Sequence, residues 1–471
     1  MKLTAGEVVS YLGGKLTSGS AETRIESVSI DSRTVERGDL FFAIVGPRFD
    51  GHRFVRQALE RGAVGVVVSK PRTVGEGGER GVEIRVEDTA LALQELAKAV
   101  RRSAGVKVVA ITGSVGKTTA KEATAAALGA RFRVLKSAGN LNNLYGLPLS
   151  ILKLDGEEAA VLEMGMSAPG EIARLTEIAR PDVGVLLNIA EVHREFFPSL
   201  EAIAKAKGEL FDGLAGEAVA VVNADDPLVL EEARRFSGRQ VRFGIGERAE
   251  LRARELVRTS NGMQFIAELE DPAGEYPKEQ TNVTTPLFGR HNVYNLLAAL
   301  AASWALGLSL QEAAEKLRKL QPAARRGERI HFGGGPLVID ETYNSNPAAV
   351  KAALASLMEE EASRQIAVLG DMLELGDRAE ALHLECGRYV AESKVSLLIG
   401  VGSLGATLVE GARRAGMPED ALFTAADALE AGELLAELAS REDAVLLKAS
   451  RGVSLEEAIT ALRKRYPVES A

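Results

Sequence analysis

The densest run of chemistry-bearing residues is Val108-Val109-Ala110-Ile111-Thr112-Gly113-Ser114-Val115-Gly116-Lys117-Thr118-Thr119. An apolar stretch leads into a glycine-rich turn, and an alanine-rich helical stretch follows. Glycines let backbone N–H groups approach phosphate oxygens, and a helix N-terminus adds partial positive charge. Lys117 can then reach the β- and γ-phosphates of a nucleotide while Thr118 holds Mg²⁺, with Gly113, Ser114, Val115, Gly116 and Thr119 completing the cradle. The common form of this loop has glycine five places before Gly116, where this chain has Ile111. The loop is therefore a variant starting at Thr112-Gly113, and a chance Gly-Lys-Thr turn is the competing reading.

Polar residues close the other buried strands, at the edge where ligands collect in open α/β sheets. Val161-Leu162-Glu163-Met164-Gly165 puts Glu163 just past one strand, and Leu187-Asn188-Ile189-Ala190-Glu191-Val192-His193 puts His193 past another. A carboxylate and an imidazole there suit a divalent metal, although each alone also fits a surface or core position. Asn223-Ala224-Asp225-Asp226-Pro227 ends a further strand. It distantly resembles the guanine-reading Asn-Lys-x-Asp, with Ala224 in place of lysine; an Asp-capped turn into a helix explains it equally well.

These residues need a scaffold, and 471 residues with 46% apolar content predict two to three domains. Residues 25–30, 39–44 and 63–68 read as strands, 54–61 as a helix, 71–81 as a surface loop, and 89–102 as a helix capped by Thr89. A boundary is expected at Arg101–Gly105. Continuous apolar strands at 108–111, 159–162, 183–187 and 218–222 imply a parallel sheet covered by helices on both faces. A β-rich insertion is expected at 241–287, then helices at 292–307 and 309–320. Strands at 337–339, 365–369, 395–399 and 444–447 predict a second, smaller doubly wound unit.

The net charge of −9 without a basic block gives no support to a nucleic-acid or anionic-membrane partner. A single cysteine, Cys386, excludes an internal disulfide and a cysteine-rich metal site. No signal peptide or membrane span is read from the sequence, so a cytoplasmic protein is expected, with no membrane partner.

With these pieces in place the chain resembles, over nearly its whole length, the Mur ligases of bacterial cell-wall synthesis. Thr112–Thr119 looks like the family's P-loop variant, and Glu163 and His193 match its metal ligands. Lys207, in Ala206-Lys207-Gly208-Glu209, matches a lysine that the family carbamylates. Gly289-Arg290-His291-Asn292-Val293-Tyr294-Asn295 resembles its adenine-contacting segment, centred on Asn292. Arg326 matches an arginine opening the C-terminal domain, although the usual preceding glycine is Arg325 here. Asp31-Ser32-Arg33 and Asp50-Gly51-His52 resemble the family's uridine-nucleotide domain.

Within the family, three stretches resemble the branch that adds D-alanyl-D-alanine to a UDP-N-acetylmuramoyl-tripeptide. They are Gly139-Asn140-Leu141-Asn142-Asn143, Asp340-Glu341-Thr342-Tyr343-Asn344-Ser345-Asn346-Pro347, and residues 368–376. Glu341 and Ser345 depart from the usual form of the second. The resemblance implies an α/β chain of three domains: an N-terminal UDP-substrate domain (1–103), a central P-loop ATPase domain (104–321) and a C-terminal Rossmann-like ligase domain (322–471).

It further implies ATP and two Mg²⁺ ions, an acyl-phosphate intermediate, and a monomer. Lys117, Lys207 and His193 would be catalytic, and Thr118, Glu163, His193 and Lys207 would serve metal. Asn292, Arg326 and Asp340 would join the loop in holding ATP. Asp31, Ser32, Arg33, Asp50, His52, Asn140, Asn142, Asn143, Tyr343 and Asn344 would hold substrate. The competing readings are a sister ligase adding the third amino acid, a folylpolyglutamate synthase-like ligase, and a P-loop switch or transport NTPase.

Overall fold

The computed structural model describes residues 3–46, 49–70, 81–192, 194–270, 274 and 277–467. His193 and residues 71–80 of the expected surface loop thus lie outside the described residues.

The first sheet runs in the order Lys15–Ser18, Val82–Arg85, Gly65–Val68, Asp39–Phe42, Ser27–Ser29, parallel except for its first pair. The single strand expected at 25–30 is two pieces. Arg24–Ile25 pairs antiparallel with Leu3–Thr4, and Ser27–Ser29 pairs parallel with Asp39–Phe42. The helix Thr89–Ala104 is capped not by Thr89 but by Asp88, whose carboxylate accepts from the N–H groups of Ala90 and Leu91. Thr89 is buried instead, its hydroxyl donating to the Ala43 carbonyl at 3.0 Å. Gly105, at φ 63, ends this helix.

That helix is also a joint. Arg101, 8% exposed, donates through its guanidinium to the Ala179 and Arg180 carbonyls and pairs with Asp182. Leu93, Leu96 and Ala97 lie in one apolar core that runs from Ala5 and Phe42 to Leu162 and Phe211. The first and central units therefore share buried surface.

The central sheet has nine strands, in the order Glu279–Thr285, Gly262–Leu269, Leu251–Thr259, Arg239–Gly244, Val219–Asn223, Val183–Leu186, Lys107–Thr112, Ala159–Glu163, Val134–Lys136. Neighbours pair in parallel from Val134–Lys136 to Leu251–Thr259, and Gly262–Leu269 pairs antiparallel with both Leu251–Thr259 and Glu279–Thr285. Residues alternate between its faces: Val108, Ala110, Ala160 and Leu162 enter one core, Val109, Ile111, Ala159 and Val161 the other. Two-sided burial is why these strands are apolar throughout. The stretch expected as an insertion at 241–287 is no separate body. Leu251 and Arg252 pair in parallel with Phe243 and Gly244, and Phe265 and Val283 feed the same core.

The third sheet runs Glu328–His331, Leu337–Asp340, Asp443–Lys448, Arg364–Gly370, Leu397–Val401, Leu422–Ala425, parallel apart from its first strand. Its two edge strands, Glu328–His331 and Leu422–Ala425, go unseen in the sequence because they are short and partly exposed. Between the sheets run Arg290–Ala305, with Leu296 to Ser303 buried, and Leu310–Leu317, which Ser309 and Glu312 start as a capping box. Among the described residues no helix is long and apolar enough to cross a membrane.

Candidate active site

Thr112 closes its strand with its hydroxyl donating to the Met164 carbonyl at 2.9 Å, which holds two strand ends side by side. Ile111 is fully buried and registers with Glu163 and Val185. The strand thus occupies the place where the commoner loop has its early glycine. Helix Lys117–Leu128 starts at Gly116, with φ 86. A Cβ there would sit 2.3 Å from Asn295 Oδ1, so both backbone and space demand glycine.

Asn188 shapes the loop from the next strand end: its Oδ1 accepts from Val115 N–H at 2.9 Å and its Nδ2 donates to the Val115 carbonyl at 3.0 Å. Nothing in the sequence marked Asn188 beyond its place after a buried strand. Lys117 Nζ donates to the carbonyls of Gly113 and Ser114 at 2.8 and 3.2 Å. Burial lowers its pKa, and the Glu163 charge opposes that shift.

Glu163 is the last residue of its strand, not the residue beyond it, and is 3% exposed. Its Oε2 accepts from Thr118 Oγ1 and its Oε1 from Asn142 Nδ2, both at 2.8 Å. Buried Lys121 lies beneath, donating to the Ser137 carbonyl at 2.8 Å with its Nζ 4.0 Å from Glu163 Oε2. A hydroxyl and a carboxylate beside a phosphate loop are hard oxygen donors that fit Mg²⁺. Among the described residues no group of three His, Cys, Asp or Glu forms a closed cage.

Lys207 overturns the plain reading of its helix, Leu200–Asp212, which would leave it solvated like its neighbour Lys205. It is 1% exposed. Burial, with a smaller contribution from Lys117, pushes its pKa well below the ordinary lysine value.

A cleft of about 1370 Å³ brings these groups together with residues of the C-terminal unit. Asn140, Asn142 and Asn143 line it, as do Asn292, Arg326, Tyr343 and Asn344. Asn292 is held by its Nδ2 on the Phe288 carbonyl and its Oδ1 on Asn295 Nδ2. The Arg326 guanidinium stacks 4.0 Å from the centre of the Tyr343 ring. Arg325 adopts φ 61, which explains why glycine suits this position.

Other expected residues stand elsewhere. Asp340 is 4% exposed and off the cleft wall; its Oδ1 accepts from the Thr342 N–H and hydroxyl, while burial raises its pKa. Asp31, Ser32, Arg33, Asp50 and His52 are all in the first unit and none lines the cleft. Asp31 pairs with Arg33, Ser32 donates to Gln57, and Asp50 holds His52 Nδ1 and Lys70. Asp226 caps helix Pro227–Ala233, so the capped turn, not a guanine reader, accounts for that strand end.

Tyr294, named in the sequence only as part of the stretch 289–295, and Lys448, not singled out there, also line the cleft. Tyr294 donates its hydroxyl to Asp225 Oδ2 at 2.9 Å, and burial first, then that bond, raises its pKa to about 12. Lys448, 2% exposed, bonds Glu341 Oε2 and the Asn344 carbonyl at 3.2 and 2.9 Å. Its signal was its place directly after the apolar strand 444–447.

A phosphate loop on one α/β unit, facing a second across a shared cleft, defines a two-sided nucleotide-binding protein. Comparison with known proteins narrows that class. Residues 24–101 match the Mur ligase family catalytic domain, 111–303 the Mur ligase middle domain, and 325–451 the Mur ligase glutamate ligase domain. The UDP-N-acetylmuramoyl-tripeptide–D-alanyl-D-alanine ligase of Bacillus subtilis is 37% identical over 465 residues, 98% of each chain. That of Escherichia coli is 34% identical over 98% of this chain and 99% of its own. A crystal structure of MurF from Acinetobacter baumannii superposes with a TM-score of 0.88 at 32% identity, covering 98% of this chain and 99% of that one. MurF ligase from Thermotoga maritima in complex with ADP gives 0.80 at 31% identity, covering 93% and 97%. The chain belongs to the Mur ligase family.

Proposed function

We propose that this chain is an ATP-dependent carbon–nitrogen ligase that joins D-alanyl-D-alanine to a UDP-N-acetylmuramoyl-tripeptide, a step of peptidoglycan precursor synthesis. The observation that carries this reading is the shared cleft, in which Lys117, Thr118 and Glu163 of one unit face Arg326, Tyr343 and Lys448 of another. End-to-end likeness to ligases named for that reaction supports the choice of substrates.

A carboxylate is a poor electrophile, and phosphorylation turns one of its oxygens into a leaving group. A terminal oxygen of the tripeptide attacks the γ-phosphorus of ATP and ADP departs. The dipeptide amine then attacks the acyl carbon, loses a proton and expels phosphate. Positioning and charge neutralisation dominate such transfers. Lys117 supplies positive charge at the transferring phosphate. Asn292 lies where the adenine is held, and the stacked Arg326 reaches in from the C-terminal side. Thr118 and Glu163 would hold Mg²⁺, which supplies Lewis-acid neutralisation of phosphate charge. His193 would be a further ligand. Residues 1–103 hold the UDP end through Asp31, Ser32, Arg33, Asp50 and His52, while 104–321 bind ATP and 322–471 receive the amine.

Lys207 acts as a carbamate in this reading. Its burial favours the neutral amine, whose lone pair attacks CO₂; a C–N bond forms and a proton is released. The product presents anionic oxygens of the kind hard cations prefer.

The test is ADP release with purified protein. Release should require both the UDP-tripeptide and D-alanyl-D-alanine, with one amide bond per ADP. Nucleotide hydrolysis indifferent to both would refute the ligase reading, and preference for lysine or diaminopimelate on a UDP-dipeptide would refute the substrates.

A further inference from the structure

The dipeptide proposed above carries one full negative charge, its terminal carboxylate, at the end far from the reacting amine. A ligase that grips that end needs a cation on the cleft wall of the C-terminal unit that no other group has claimed. Lys117 is bound to loop carbonyls, Arg326 is stacked on Tyr343, and Lys448 is bonded to Glu341 and the Asn344 carbonyl. Arg451 remains. It lines the cleft, and among the described residues no carboxylate lies within ion-pair distance of it.

Its backbone is anchored, while its guanidinium has no ion-pair partner among the described residues. Arg451 opens the turn Arg451–Val453, separated from strand Asp443–Lys448 by Ala449 and Ser450. The preceding residue, Ser450, donates its N–H to the Asp371 carbonyl at 3.0 Å and accepts Leu373 N–H on its hydroxyl at 2.9 Å. Leu373, 50% exposed, lines the same wall beside Gly452, where an added Cβ would come within 3.0 Å of its Cδ1. An apolar surface thus adjoins a guanidinium that, among the described residues, has no carboxylate partner and stands beside a hydrogen-bonded anchor, Ser450. The guanidinium itself lies 6.0 Å from the centre of the ring of Tyr343, which lines the same cleft.

We infer that Arg451 is a specificity-determining residue that binds the terminal carboxylate of the incoming dipeptide. A planar guanidinium matches a carboxylate with two parallel hydrogen bonds, which gives direction as well as charge. It thereby selects a free acid and sets how far the amine reaches toward the acyl carbon.

The inference rests on the ligase reading, and the experiment separates the two. Initial rates are measured with D-alanyl-D-alanine and with its C-terminal amide, using wild type, Arg451→Met and Arg451→Lys, each checked for an unchanged melting temperature. Wild type should show a KM for the amide about tenfold or more above that for the acid, the scale of a charge-assisted pair. In Arg451→Met the acid should rise to the amide's value and the ratio fall to about one, with KM for ATP unchanged; Arg451→Lys should keep part of the preference. Equal use of acid and amide by wild type, or an undiminished preference in Arg451→Met, overturns the inference and leaves the ligase standing. Failure of wild type to ligate either compound overturns both.

Discussion

Replacing Gly116 by alanine tests whether the phosphate loop owes its shape to close backbone approach. Two costs can be worked from the structure. Alanine at φ 86 is in the left-handed region, which costs about 1–2 kcal/mol. Its Cβ would also stand 2.3 Å from Asn295 Oδ1, so the amide must move. Asn295 and Asn292 are 4% and 8% exposed and bonded to each other at 3.0 Å. Breaking that bond leaves buried polar groups unpaired, a loss of about 1–3 kcal/mol. The sum, about 2–5 kcal/mol, should lower the central unit's melting temperature by roughly 10 °C at the 2–4 °C per kcal/mol typical of domains this size. Calorimetry gives that shift, and titration with ATP should show weakened binding. In a double-mutant cycle, Asn295→Ala should recover the steric part and leave the backbone part, a coupling of about 1 kcal/mol or more. An unaltered melting temperature with unaltered ATP binding would refute the claim that contact with Asn295 demands glycine.

Lys117→Ala should cut ligation at least about a hundredfold, about 2.7 kcal/mol of barrier, with folding largely retained; near-normal turnover would sink the assignment of the ATP site. Lys207→Ala should lose activity and regain part of it in concentrated acetate, whereas exposed Lys205→Ala stays near wild type. A bare amine at Lys207 in an active crystal would disprove the carbamate. The Arg33 side chain is the main cause holding the Asp31 carboxyl at about 2, below its ordinary 3.8. A depressed carboxyl contributes stability that is complete above its unfolded value and lost as pH falls through its folded one. Asp31→Asn should therefore flatten the loss of stability between about pH 4 and pH 2, read from urea midpoints, and an unchanged slope there would refute the pairing. The effect should be small, since both side chains are exposed.

The phosphate loop and the sheet architecture were legible because they rest on local order. An apolar strand, a glycine turn and an alanine-rich helix are contiguous in Val108–Thr119, and two-sided burial leaves continuous apolar strands wherever a parallel sheet is covered. Glu163 could be marked because strand ends are visible in the same pattern. Thr89 was misread as a cap because Asp88, one residue earlier, satisfies the same N–H groups better, while a distant carbonyl of Ala43 claims the threonine hydroxyl. Distance along the chain hid the rest. Asn142 reaches Glu163 across 21 residues, Asn188 shapes a loop 73 residues before it, and Lys448 meets Glu341 across 107. Burial of Lys207 depends on what packs over its helix, so its own segment, with Lys205 two places away, carries no sign of it. Sequence by itself determined the elements and the residue types at their ends. Tertiary structure alone decided which ends meet, because hydrogen bonding and desolvation act between neighbours in space.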